Sequence, residues 1–178
     1  MSSSSLLQAN PSEALSDLDW SAADISTTLA DRETLSGREL SVLIIEKGVT
    51  QKRRFTIRAE GEEPAWLMPT LHAMGEILSL PSNWDSYGAH PVNAFSVVSA
   101  FDLLVATMRP ETPTPTVVPT SRGGLQLEWH TRGIDLEVEV ASPGRSYVRY
   151  DDSKRGVAWE GEITSDLKRL ADFVAILS

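Results

Sequence analysis

With 25 acids against 16 bases in 178 residues, the chain carries a net charge of −9, which repels a phosphate backbone and argues against nucleic acid as a partner. Hydrophobic residues at 41% and charged residues at 23% fit one soluble globular core and exclude global disorder. No apolar run approaches the ~20 residues of a membrane span, and the absence of cysteine excludes disulfides, thiolate catalysis and Cys-ligated zinc.

The N-terminal Met1-Ser-Ser-Ser-Ser-Leu-Leu lacks the basic and long apolar regions of a signal peptide. With the lack of cysteine, this places the expected location in the cytoplasm. Residues 1–37 are rich in Ser, Ala, Thr and Asp without a period of 2 or 3.6, and read as a disordered acidic tail. In the first 36 residues Glu13, Asp17, Asp19, Asp24, Asp31 and Glu33 stand against Arg32 alone. Leu15, Leu18 and Trp20 follow a helix-like start at Pro11, a spacing suited to folding on a partner.

Residues 38–178 are expected to form a single α+β domain. Leu40–Ile45 and Phe55–Ala59 predict an N-terminal β-hairpin over about 39–59. Its basic cluster, Lys52, Arg53, Arg54 and Arg58, is a solvated strand face or, less compatibly with the overall charge, a DNA contact. Pro69 opens a predicted helix with Leu71, Met74, Ile77 and Leu78 on one face. A second helix is predicted over 91–108, with Pro91 at its first position. Its apolar stripe is Phe95, Val98, Phe101, Val105 and Met108, with Asn93, Ser96, Ser99 and Asp102 facing away. Pro110–Pro115 reads as a stiff extended connector.

Residues 116–162 predict an antiparallel β-meander whose register follows from alternation. A two-residue turn at Arg132-Gly133 pairs Trp129 with Leu136, Leu127 with Val138 and Leu125 with Val140. A turn over Ser142–Ser146 would pair Val140 with Val148 and Val138 with Tyr150. A turn over Asp152–Arg155 would set Tyr150 against Val157 and Val148 against Trp159. A last helix is predicted from Thr164 as N-cap, with Asp166 in its first turn and Leu167, Leu170, Ala171, Val174 and Leu177 buried. Three helices then cover one face of the sheet, with the N-terminal hairpin at its edge or beside it.

The same alternation assembles an acidic opposite face. His130 is expected across from Asp135, Glu128 from Glu137 and Gln126 from Glu139, with Arg149 across from Glu139 and Asp151 across from Glu137; Tyr147 and Glu160 complete the patch. Like charges directly opposite cost a few tenths to ~1 kcal/mol, so Glu128 and Glu137 require water or a cationic visitor. Three readings follow: the solvated side of a half-buried sheet, a face for a basic protein, or a divalent-metal site of a hydrolase using Glu128, His130, Glu137 and Glu139. The third lacks a cleft and a strong ligand spacing, so no catalytic residue, metal or cofactor is assigned.

The segment Asn83-Trp-Asp-Ser-Tyr-Gly-Ala89 combines turn formers with two aromatics. It is either an inter-helix plug, with Trp84 buried and Tyr87 on the sheet, or a recognition loop offering Trp84, Asp85 and Tyr87. Gly123-Gly124 lacks the residues of a phosphate loop and reads as the turn entering strand 125–130.

Leu80-Pro-x-Asn-Trp-Asp-Ser-Tyr-Gly-Ala89, followed by Gly123-Gly-Leu-Gln-Leu-Glu-Trp129 and Asp135-Leu-Glu-Val-Glu139, resembles a group of small uncharacterised bacterial proteins. The resemblance spans about 80–140. It implies a bacterial source and a shared core and supplies no catalytic residues. The resulting expectation is a non-enzymatic acidic module that binds another protein through Trp84, Asp85, Tyr87, Glu128, His130, Glu137, Glu139 and Arg149.

Overall fold

The computed structural model describes residues 64–141, 145–164 and 167–178 in full, and the strand course alone of 25–34, 37–46 and 52–59. The amphipathic patch at Leu15, Leu18 and Trp20 and the turn at 47–50 lie outside the described residues. Strands β1 (Ile25–Thr34), β2 (Gly37–Glu46) and β3 (Lys52–Ala59) form an antiparallel three-stranded sheet in chain order. Register pairs Leu29 with Val42 and Leu40 with Ile57. Strand β1 thus lies within the segment that composition alone reads as tail.

Helix α1 (Leu67–Leu78) buries the foreseen face, Leu71, Met74, Ile77 and Leu78, together with Leu67 and Thr70. It starts two residues before Pro69, which stays in the first turn, where its missing N–H has no intrahelical partner to lose. Helix α2 (Ala94–Thr107) starts later than predicted. Pro91 lies outside it, and Asn93 is the N-cap, its side-chain oxygen accepting the Phe95 N–H at 2.7 Å. The single stripe expected for α2 also needs correction. Ser96 is fully buried and Val97, Ala100 and Leu104 are buried with it, because α2 packs against α1, the last helix and the sheet at once.

The second sheet runs in chain order: β4 (Thr116–Pro119), β5 (Leu125–Thr131), β6 (Ile134–Ala141), β7 (Arg145–Asp152) and β8 (Val157–Ile163), all antiparallel. The β5–β6 register is the predicted one, Trp129 to Leu136 and Leu125 to Val140. Arg132 at φ +55 and Gly133 at φ +83 close it, the two positive angles of a type I′ turn whose twist matches the strands. The next two registers differ from prediction by two residues. Val138 pairs with Val148 and Leu136 with Tyr150, since the connection is the three residues 142–144 rather than five. Tyr150 pairs with Trp159 and Asp152 with Val157. Here the loop is Ser153–Gly156, and the buried Asp152 carboxylate accepts the N–H groups of Lys154 and Arg155, each at 3.0 Å. Both slips are even, so each strand keeps its apolar side inward.

Helix α3 (Lys168–Ile176) starts after the predicted Thr164 cap. Leu167 stands at its N-cap without a side-chain bond. Leu170, Val174 and Leu177 are buried as foreseen. Phe173 stacks on Tyr150 with ring centroids 4.2 Å apart and also meets Trp159, over which Arg169 lies at 4.9 Å. The three helices and the inward residues of β5–β7 share one hydrophobic core. The connector after α2 is tied down from two sides: Trp66 donates to the Arg109 carbonyl at 2.9 Å and Trp129 to that of Pro113 at 2.8 Å. With its helices all on one side, this sheet leaves its other side to the polar residues.

Candidate functional site

Alternation along β5–β8 delivers the outward face in rows. One row runs Thr116, Glu128, Glu137, Arg149 and Glu160; the next runs Val118, Gln126, Glu139, Tyr147 and Glu162. Beyond the first, His130, Asp135, Asp151 and Ala158 line up. Glu128 and Glu137 are directly opposed, as the sequence predicts. Arg149 does not face Glu139. It faces Glu137, with Nη1 to Oε2 at 4.0 Å, and Asp151 faces Asp135 rather than Glu137. The two-residue shift of β7 causes both changes and creates a second opposed acid pair. Sequence reading missed Glu162, which pairs with Arg145 at 3.2 Å; its parity with Glu160 was the available signal.

His130 sits between two carboxylates. Its Nδ1 is 2.7 Å from Asp135 Oδ1 and its Nε2 is 3.4 Å from Glu128 Oε2, while Gln126 donates to Glu128 Oε1 at 2.9 Å. The hydrogen bond to Asp135, then that to Glu128, raises the imidazole's pKa above its ordinary value. Glu128, Glu137 and Glu139 are half-buried by their neighbours, and Asp135, Arg149 and Asp151 are exposed. Among the described residues, no group of three or more His, Asp or Glu is arranged to hold a metal ion. The set Glu128, His130, Glu137 and Glu139 spreads over three rows of an open sheet. Among the described residues the metal-hydrolase alternative therefore finds no geometric support. The side chains of the basic cluster on β3 lie outside the described residues.

The remaining site residues belong to the loop between α1 and α2. Asn83 accepts the Gly88 N–H through its side chain at 2.7 Å and donates its own N–H to the Ala89 carbonyl at 2.7 Å. Asp85 Oδ1 accepts from Tyr87 N at 2.8 Å and Ala89 N at 3.0 Å. The first of these bonds does most to hold the Asp85 carboxyl below its ordinary pKa. Trp84, half-buried, donates from Nε1 to the His90 carbonyl at 3.2 Å. Asn83 and Ser86 both stand at φ +64, a left-handed conformation costing about 1–3 kcal/mol, least for Asn.

The loop is docked on the β4–β5 turn. His90 N donates to Ser121 O at 3.0 Å and Asn93 N to Gly123 O at 2.8 Å. The two motif segments singled out in the sequence are thus one packed unit. The plug reading fails for Tyr87, which is 92% exposed instead of resting on the sheet. Because the loop docks where β5 begins and His130 lies near its end, His130 stands on the order of 15 Å of strand from the docking point, while Glu139 pairs with Gln126 near the start of β5.

No protein-family model matches the chain, and neither curated proteins nor solved structures supply a match. The functional reading therefore rests on the surface itself.

Proposed function

We propose that the chain is a non-enzymatic acidic module that binds a basic surface of another bacterial protein in the cytoplasm, as its neutralising or regulatory partner. The observation that carries this reading is the outward sheet face. It opposes Glu128 with Glu137 and Asp135 with Asp151, with Arg149, Arg145 and His130 as the interspersed bases. Opposed like charges weaken a sheet, and a cationic partner relieves both pairs on arrival. Such a face also steers a basic partner from a distance and raises its association rate. Glu128, His130, Glu137, Glu139 and Arg149 form this contact, and Trp84, Asp85 and Tyr87 form a separate one.

Among the described residues no helix is long and apolar enough to cross a membrane. Sheet faces are open, whereas a catalytic carboxylate needs a water-excluding cleft, which favours binding over catalysis. Reversing charge at Glu128 and Glu137 tests the reading, with capture of the partner from bacterial lysate as the readout. Wild-type capture with loss in the variant is the expected result; equal capture contradicts it.

A further inference from the structure

The loop from Asn83 to His90 carries more internal order than a connection between two helices requires. Its backbone is left-handed at two residues other than glycine. Asn83 Oδ1, Asp85 Oδ1 and the Trp84 indole N–H are engaged within it. What it sends outward is Tyr87, at 92% exposure the most exposed large hydrophobic residue of the described chain.

An anchor for an apolar pocket would sit among apolar neighbours. Here the adjoining Asn83, Ser86, Gly88 and His90 are exposed and polar or small. The charged group fixed nearest in the loop is the Asp85 carboxylate, whose Oδ1 lies 2.8 Å from the Tyr87 backbone nitrogen. A carboxylate held at the backbone of an exposed tyrosine two residues on suits a guanidinium, a planar cation that can stack on a ring while its edge donates to oxygen. The compact, strongly hydrated ammonium of lysine gains less from that arrangement.

We propose that Tyr87 and Asp85 form a ready-made contact for an arginine side chain of a basic protein partner. The proposal rests on the reading of that partner as basic and adds a foothold separate from the sheet face. Internal bonds already order the loop, so binding has little of it left to immobilise.

Capped hexa-arginine and hexa-lysine peptides, titrated calorimetrically against the whole chain at low salt, test the contact. Tyr87→Phe keeps the ring, whereas Tyr87→Leu keeps apolar bulk without it. At so exposed a position both variants retain the fold, which circular dichroism verifies. The expected result is tighter binding of hexa-arginine than of hexa-lysine, unchanged in Tyr87→Phe. In Tyr87→Leu hexa-arginine binding weakens about two- to five-fold. Equal binding by all three chains overturns the arginine contact. If the Glu128→Lys/Glu137→Lys chain still loses affinity in that case, the basic-partner reading survives. A loss in Tyr87→Leu without one in the charge-reversed chain keeps the loop contact and removes the sheet face. Failure of both peptides to bind the wild-type chain overturns both proposals.

Discussion

A Cβ placed on Gly123 would stand 2.9 Å from the carbonyl oxygen of Pro91. The β4–β5 turn and the approach to α2 meet so closely that only hydrogen fits between them, and Gly123 also holds φ +85. Neither the backbone oxygen nor the angle can yield cheaply. The two motif segments therefore meet at a glycine for a steric reason.

Gly123→Ala is expected to destabilise the fold by about 1–3 kcal/mol. Gly75, inside α1 with nothing within 4 Å of its virtual Cβ, is the control: Gly75→Ala should stabilise by about 0.5–1 kcal/mol. Thermal melts of the two variants should move in opposite directions. A neutral Gly123→Ala would mean that the junction is looser than described.

Asp152 is buried and closes the Ser153–Gly156 loop through two backbone N–H groups. Asp152→Ala strands both donors and should cost about 1–3 kcal/mol. Asp152→Asn, which keeps one acceptor oxygen, should recover part of that loss. Urea midpoints of the three chains measure it, and a cost shared equally by both variants would point to the charge rather than the acceptor.

The raised pKa of His130 gives stability a pH dependence of known sign. A folded-state value above the ordinary 6.5 makes the imidazolium's contribution complete below about that pH. The contribution is lost as pH rises through the folded value. The side chain is 51% exposed, so the effect is small and salt weakens it. Imidazole titration by NMR should show Asp135→Asn lowering the pKa more than Glu128→Gln does. The reverse order would reassign the dominant partner.

How far the sequence reaches is set by which errors its patterns can detect. Alternation fixed the β5–β6 register because a slip of one would set Trp129 against Asp135. It was blind to the two-residue shifts of β7 and β8, since an even slip preserves both faces; the loop lengths and the Asp152 cap decide those. The acidic face is therefore legible as a face, while the pattern alone sets Arg149 opposite Glu139 instead of Glu137. Helical period alone places Ser96 outward, because it does not reveal how many neighbours surround a helix. Tyr87 was ambiguous for a related reason, as local chemistry predicts a tight loop without saying which aromatic it turns outward.

Leu127 is a fully buried member of the β5 inner face. Leu127→Ala should cost about 2–5 kcal/mol, whereas Glu137→Gln on the outer side should stay within about 0.5 kcal/mol. This contrast separates the fold from the face. Comparable losses at both positions would show the acidic row to be structural.

The most direct test of the central claim is stoichiometric capture from bacterial lysate by the full chain, beside its Glu128→Lys/Glu137→Lys variant at matched folding. The account predicts a basic protein retained by the wild-type chain and reduced roughly tenfold or more in the variant, equivalent to about 1.4 kcal/mol or more. Capture of the same protein to the same extent by both chains would contradict it.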